Sequence, residues 1–314
     1  MMLEISEDFF KEEYRDGFYI PSSMKKTWAI QLGVLSEILD LARKYDIPIW
    51  MDCGSLLGTI RHKGYIPWDD DIDLCLIRDD YMKFLQILKE ELPANRKVYS
   101  FYTTNDYHLP KAFVCNRENI DIGISSKEEA ITQSMFNCPY CLGVDLFPLD
   151  YIPTDQAYWE QLSKLYIIAY NIGIDYDSYL QSGELDSFLN MLKSTLNLSS
   201  FGDNSRSTVW KIAEAISTMT KKDEASWITW YPEYAMGGSK RRRSISAYSG
   251  TVIMDFEMIK VPVPIGYEEV IRVLFGEDYM TPIRGTAGHN YPLYKNQEMK
   301  ILYYNRIGQT GDIF

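Results

Sequence analysis

The sequence lacks the features of a secreted, membrane-spanning or nucleic-acid-binding protein. It has no uninterrupted run of about 18 apolar residues, which a membrane-spanning helix requires. Its first twenty residues carry acidic side chains throughout, so we expect no secretory segment. The formal net charge of -12 disfavours binding to nucleic acid, which needs basic patches. We therefore expect a cytoplasmic protein, at most in peripheral contact with the inner face of a membrane.

Cysteine is also scarce, and the 5 cysteines are an odd number scattered along the chain. A disulfide framework is therefore not expected. Cys138 and Cys141 have the spacing of half a zinc site, but a closed zinc site needs four ligands and no second pair follows. We expect these two to be a plain structural pair, and Cys53 and Cys75 to be small core residues.

The 314 residues are 46% hydrophobic, which suits one large domain or a core with an added lobe. Apolar spacing predicts helices over 24–45, 55–63 and 78–92, and strands over 47–53, 72–77, 97–103, 111–115, 119–124 and 143–149. This pattern predicts an α+β fold in which helices flank a mixed sheet, with an added helical lobe. We expect the core over 1–154, the helical lobe over 155–245, and a C-terminal segment over 246–314 that returns to the core. The basic run "KRRRS" at 240–244 is predicted to be a solvated loop.

The stretch "PWDDDIDLCLI" places four carboxylates directly before an apolar strand, at Asp69, Asp70, Asp71 and Asp73. Residues two apart on a strand share a face, so Asp71 and Asp73 should point to the same side. Carboxylates this close repel each other unless a cation lies between them. Hard oxygen ligands at this spacing favour Mg²⁺ or Mn²⁺.

The acidic cluster has three other interpretations. A solvated turn is disfavoured because the cluster continues directly into the apolar "LCLI". A calcium loop would need Gly at its sixth position and Glu at its twelfth, where the chain has Leu74 and Asp80. The third is the Asp-x-Asp motif of a sugar-nucleotide glycosyltransferase, which these residues alone do not exclude.

The preceding "CGSLLG" indicates a strand that ends at Gly54 and a helix with Ser55 as its N-cap. Glycine permits close approach of the backbone, and helix N-terminal amides offer an anion site. A phosphate site beside a metal pair is the layout of a nucleotidyltransferase-type core. Such cores need a third carboxylate, which Asp145 in "GVDLFPLD" supplies, whereas Asp150 is expected to be structural.

Three segments resemble the motifs of the LicD family. They are "MDCGSLLGTIRHKGYIPWDDDIDLCLIRDDYMKF" for the signature, "GVDLFPLD" for the second motif and "VPVPIGYEEVIRVLFGEDYMTP" for the C-terminal motif. The resemblance implies metal-dependent transfer of a phospho-alcohol from a CDP-alcohol to a sugar hydroxyl of a cell-surface glycan or a lipid-linked precursor, releasing CMP. CDP-choline is the expected donor, and the similar fukutin proteins use CDP-ribitol. Matched positions imply Asp71, Asp73 and Asp145 as catalytic metal ligands, with Asp69 as an outer ligand.

The same hypothesis assigns donor-binding residues. Gly54 and Ser55 would hold phosphate oxygens, Arg61 and Lys111 would add positive charge, and Trp68 would offer an aromatic face to choline. The family's tail commonly runs on to paired histidines, but here only His289 appears, and we expect it to be a surface or packing residue. The alternatives are a nucleotidyltransferase of the same fold, a glycosyltransferase, and a non-catalytic binding protein.

Overall fold

A computed structural model describes residues 3–116, 142–198 and 202–283. The α-helices are α1 (Ser22–Lys44), α2 (Cys53–His62), α3 (Arg78–Glu91), α4 (Gln156–Ile174), α5 (Tyr176–Ser182), α6 (Leu185–Thr195), α7 (Arg206–Ser217), α8 (Tyr231–Gly237) and α9 (Tyr267–Phe275). The strands are β1 (Glu13–Arg15), β2 (Phe18–Ile20), β3 (Trp50–Met51), β4 (Asp73–Ile77), β5 (Arg96–Tyr99), β6 (Ala112–Asn116), β7 (Gly143–Pro153), β8 (Ala225–Thr229), β9 (Arg243–Ser244), β10 (Thr251–Phe256) and β11 (Ile259–Pro264). The predicted strand at 119–124, Cys138, Cys141 and His289 lie outside the described residues.

Seven of the described strands form one mixed sheet, in the order β3-β4-β7-β6-β5, with β8 paired to β7 and β9 to β8. The β4–β7 pair is parallel, and the other pairs described in this sheet are antiparallel. Strand β7 is the centre of the sheet, because it pairs with β4, β6 and β8 along its 11 residues. The α+β class, with a mixed sheet flanked by helices, is confirmed.

The main hydrophobic core lies between this sheet and α1, whose position agrees with the predicted helix at 24–45. The apolar stripe of α1 is buried because its members recur every three or four residues and so share one side of the helix. It contains Trp28, Leu32, Leu35 and Leu39. The hairpin of β10 and β11 adds Phe256, Val261 and Val263 to the same core.

A second apolar cluster is built mainly by α4, α6 and α7, with Trp159, Leu189 and Trp210 among its buried members. The region predicted to be helical also contains β8 and β9, which extend the main sheet. Strand β8 forms there because the second half of β7 offers it a free edge at 150–153. We propose the boundaries 1–154, 155–245 and 246–314 for the three segments. None of the helices in the described ranges is long and apolar enough to cross a membrane.

The prediction that 240–244 is a solvated loop is wrong at Arg243. This residue lies in β9 and is fully buried, with its guanidinium against the buried carboxylate of Asp52. A buried carboxylate requires a hydrogen-bonding partner, and Arg243 supplies it. The two residues lie 191 positions apart, so no local sequence pattern reveals the pair.

Candidate metal centre

The three predicted metal ligands meet where β4 and β7 begin. Strand β4 starts at Asp73, which pairs with Asp145 of β7 in parallel register. Asp71 lies in the loop just before β4, so it reaches this position from a loop and not from the strand itself. One carboxylate oxygen from each of Asp71, Asp73 and Asp145 lies within 4.8 Å of the others. Asp69, Asp70 and Asp71 meet the same criterion, so Asp71 joins both groups.

The acidic cluster is electrostatically unfavourable without a cation. Burial raises the pKa of Asp73 well above its ordinary value, and the carboxylates of Asp71 and Asp145 raise it further. Burial likewise raises the pKa of Asp69, with added effects from Asp71 and Asp70. A divalent cation would remove both costs, because it replaces lost water and opposes the like charges. Oxygen donors of this kind suit Mg²⁺ or Mn²⁺.

The start of α2 holds the backbone of Asp73 on both sides. The Ser55 hydroxyl accepts a hydrogen bond from the Asp73 N–H at 2.9 Å, and the Asp52 N–H donates to the Asp73 carbonyl at 2.9 Å. The N-cap of α2 is Asp52, not Ser55, which lies inside the first helical turn. The predicted cap is therefore wrong, and the Ser55 hydroxyl oxygen already accepts from Asp73, a predicted metal ligand.

Gly54 lets the acidic loop approach α2. A Cβ atom built on Gly54 would lie 2.4 Å from Oδ2 of Asp69, so a larger residue cannot occupy this position without displacing that carboxylate. The start of α2, predicted to hold phosphate, thus has the Asp69 carboxylate beside it. This placement is favourable because the N-terminus of a helix attracts negative charge.

Helix α1 also holds the acidic loop, which the sequence did not reveal. The Trp28 indole donates to the Asp69 carbonyl at 3.2 Å, and the Gln31 amide donates to the Asp70 carbonyl at 2.8 Å. Both donors lie on the buried face of α1, where an apolar pattern alone predicts only core packing. A polar Gln among buried apolar residues was the available signal.

Lys111 lies directly beside the carboxylate cluster. Its Nζ is 2.5 Å from Oδ2 of Asp145 and 4.7 Å from the centroid of the Phe147 ring. Burial alone lowers the pKa of Lys111, but Asp145 and Asp73 outweigh this and raise it above its ordinary value. The structure thus brings Lys111 to the predicted site as a charged group.

Arg61 and Trp68 have described contacts with residues outside the acidic cluster. Nη1 of Arg61 donates to the Tyr279 carbonyl at 2.7 Å, which ties α2 to the C-terminal motif. The Trp68 ring lies edge-on to Phe18 and His62, with centroid distances of 6.1 and 6.3 Å. Their assignment to donor binding stays a prediction.

Comparison with known proteins agrees with this geometry. Residues 46–154 match the family model described as LicD/FKTN/FKRP, nucleotidyltransferase domain. The lipopolysaccharide cholinephosphotransferase LicD of Haemophilus influenzae is 31% identical over 105 residues, which cover 32% of this chain and 38% of that protein. Uncharacterized proteins of Rickettsia typhi and Rickettsia prowazekii are each 30% identical over 96 residues, covering 28% and 33% of their lengths. The chain thus spans less than half the length of these relatives.

The matched range contains α2, the acidic loop, β4 and the whole of β7, which carries Asp145. The similarity therefore falls on the elements that bring the carboxylates together, and it confirms the resemblance seen in the first two motifs. The C-terminal motif at 261–282 lies outside the matched range. Over residues 46–154, this chain matches the nucleotidyltransferase domain of the LicD family.

Proposed function

We propose that this chain transfers a phospho-alcohol, phosphocholine first among them, from a CDP-alcohol to a sugar hydroxyl, with release of CMP. The observation that carries the proposal is the convergence of Asp71, Asp73 and Asp145 within 4.8 Å inside a LicD-family domain. The similarity to a protein named lipopolysaccharide cholinephosphotransferase supports choline as the alcohol and a surface glycan, or its lipid-linked precursor, as the acceptor.

The residues fit a hard divalent cation, because their donor atoms are carboxylate oxygens that burial and mutual repulsion destabilise as anions. Asp71, Asp73 and Asp145 would hold Mg²⁺ or Mn²⁺, with Asp69 in an outer position. Such a cation supplies neutralisation of the charge that develops on phosphoryl oxygens.

The chain's own residues then account for binding and proton transfer. The acceptor hydroxyl oxygen forms a bond to the phosphorus that carries the alcohol, and the bond from this phosphorus to the bridging oxygen breaks. CMP leaves with that oxygen and its electron pair, while the hydroxyl proton passes to a carboxylate oxygen of Asp145. The Lys111 ammonium, already beside Asp145, balances negative charge on the donor diphosphate.

The first experiment is a thermal-shift titration with CDP-choline, CDP-ribitol, CDP-glycerol, UDP-glucose and ATP, each with and without Mg²⁺ or Mn²⁺. A ligand that binds only the folded state raises the melting temperature by mass action. We expect a metal-dependent shift with one CDP-alcohol, absent in Asp71→Asn. Product analysis with a sugar acceptor should then detect CMP.

Other outcomes would contradict the proposal and identify its replacement. A shift with UDP-glucose and release of UDP would indicate a glycosyltransferase. A shift with ATP and release of pyrophosphate would indicate nucleotidyl transfer. Turnover with none of the donors, together with no metal dependence, would indicate a binding protein.

A further inference from the structure

We infer that Arg243 is a positioning residue for the metal centre, acting on Asp73 through Asp52. The inference rests on the proposed function to the extent that Asp73 is taken as a metal ligand. The side-chain contacts described for Arg243 are with Asp52, Glu233 and Tyr248, and none of them is with a predicted ligand. An effect of the Arg243 side chain on the metal must therefore pass through these neighbours.

The first step is the ion pair itself. Nη1 of Arg243 lies 2.9 and 2.8 Å from the two carboxylate oxygens of Asp52, and the two side chains are 0% and 1% exposed. Burial alone would lower the pKa of Arg243, but Asp52, Tyr248 and Glu233 raise it well above its ordinary value. The Arg243 guanidinium is thus held against the Asp52 carboxyl group and shielded from solvent, which fixes the position of Asp52.

The second step leads from Asp52 to Asp73. Asp52 is the N-cap of α2, and its carbonyl accepts a hydrogen bond from the Leu56 N–H at 2.9 Å. Its own N–H donates to the Asp73 carbonyl, while Ser55 in the first turn of α2 accepts from the Asp73 N–H. A shift of Asp52 would therefore disturb both groups that hold Asp73.

The third step connects the two strands that carry the ligands. Arg243 in β9 pairs with Ile228 of β8, and β8 pairs with β7 at 150–153, downstream of Asp145. The segment 225–244 thus holds β7 through backbone hydrogen bonds and the start of β4 through the Arg243–Asp52 ion pair. This arrangement fixes Asp73 relative to Asp145 from outside the family-matched range.

The test separates positioning from simple stabilisation by comparing Arg243→Met, Asp52→Asn and the double variant. Either single change leaves a buried polar or charged group without its partner, so we expect both to lower the melting temperature. The double variant removes both charges and should recover much of that loss. Loss of stability in the double variant should therefore be too small to account for a change at the metal site.

Two readouts follow for the double variant. Hydrogen–deuterium exchange should be faster in peptides that contain the Asp52 and Asp73 amides. Calorimetric titration with Mn²⁺ should give an affinity about tenfold or more below wild type, the usual effect of losing a residue that orients a metal ligand. Arg243→Lys, which keeps the charge, should fall between wild type and Arg243→Met in both measurements.

The control is Arg96→Met with Glu37→Gln. Arg96 of β5 also pairs with both oxygens of one carboxylate, here through two nitrogens at 2.7 and 3.0 Å, but it joins β5 to α1 away from Asp52. This pair of changes should leave the Mn²⁺ affinity and the Asp73 amide exchange unchanged.

A double variant of Arg243 and Asp52 with wild-type exchange and wild-type Mn²⁺ affinity would overturn the inference. If that variant does not fold, Arg243→Lys with wild-type values would overturn it in the same way. Failure of the wild-type protein to bind Mn²⁺ would contradict the proposed metal centre instead. In that case the amide exchange at Asp73 would still decide whether Arg243 fixes its backbone.

Discussion

Asp73 lies directly opposite Asp145 in the parallel pairing of β4 and β7. Paired residues in neighbouring parallel strands project from the same face, so the backbone itself brings these two carboxylates together. Neither can move away without breaking strand pairing in the centre of the sheet. The fold therefore holds the two carboxylates close together despite their repulsion, and a bound cation would relieve that repulsion.

The first prediction concerns Asp145→Asn. Amide replacement keeps the shape but removes a metal ligand and the proposed proton acceptor, so turnover should fall by about 10²–10⁴-fold. The Mn²⁺-dependent rise in melting temperature should also be lost. Asp80→Asn on α3, a partly exposed position beside Lys83, is the control and should retain both properties. Full activity in Asp145→Asn would remove this residue from the mechanism.

The second prediction compares two glycines. Gly54→Ala would place a methyl group 2.4 Å from the Asp69 carboxylate, so Asp69 must shift and Mn²⁺ affinity should fall. Gly33→Ala, inside α1 and with nothing within 4 Å of its Cβ position, should stabilise the chain by up to about 1 kcal/mol through helix propensity. Calorimetry with Mn²⁺ and thermal unfolding check both. Equal metal affinities in the two variants would contradict the role given to Gly54.

The third prediction concerns the pH dependence of stability without metal. The pKa of Asp73 is raised in the folded state, so between the ordinary aspartate value of about 3.9 and the raised value the folded state binds more protons than the unfolded state. The free energy of unfolding must then decrease as pH increases through this range. Asp73→Asn has no carboxylate to titrate at this position, so its free energy of unfolding should lack this decrease with pH.

The metal-free Asp73→Asn protein should therefore melt a few degrees above wild type at neutral pH, because about 1 kcal/mol shifts Tm by about 2–4 °C in chains of 150–250 residues. At a pH below the ordinary aspartate pKa, this gain should disappear. Saturating Mn²⁺ should reverse the order and stabilise only the wild type. Thermal unfolding across pH, with and without EDTA, measures all three, and a variant less stable at neutral pH would contradict the prediction.

Local sequence patterns predicted much of this arrangement. The helix at 24–45, the strand after the acidic cluster and the carboxylates Asp71, Asp73 and Asp145 follow from spacing and residue type, because each depends on neighbours in the chain. The residues that hold these carboxylates in place do not follow from local patterns. Arg243 reaches Asp52 from a distant strand, and Ser55 serves the Asp73 backbone instead of capping its helix.

These misses have a common physical cause. A buried ion pair or a side-chain bond to a remote backbone depends on how elements pack, and its members can be any residues of the right chemistry. The run at 240–244 resembled a solvated loop because charge usually stays in water, and only the packed structure shows that Arg243 is needed inside.

The last prediction concerns Lys111→Met. The Lys111 ammonium lies 2.5 Å from Oδ2 of Asp145. It therefore competes with a divalent cation for that oxygen, and its positive charge repels the cation. Its raised pKa keeps it charged throughout the neutral range. Removing it should tighten Mn²⁺ binding by about tenfold, or about 1.4 kcal/mol, while donor affinity and turnover fall because the diphosphate loses a positive partner. Calorimetry with Mn²⁺ and donor kinetics measure these opposite changes.

Lys97→Met is the matched control for this experiment, because Lys97 also stacks its ammonium on an aromatic ring, at 4.1 Å from the centroid of Tyr99. It lies on β5, at the opposite edge of the sheet from β3, so neither Mn²⁺ affinity nor turnover should change. If Lys111→Met weakens Mn²⁺ binding instead, Lys111 supports the carboxylate geometry and does not compete with the cation. The direction of the change in Mn²⁺ affinity therefore shows whether Lys111 competes with the cation for Asp145 or supports the carboxylate geometry that binds it.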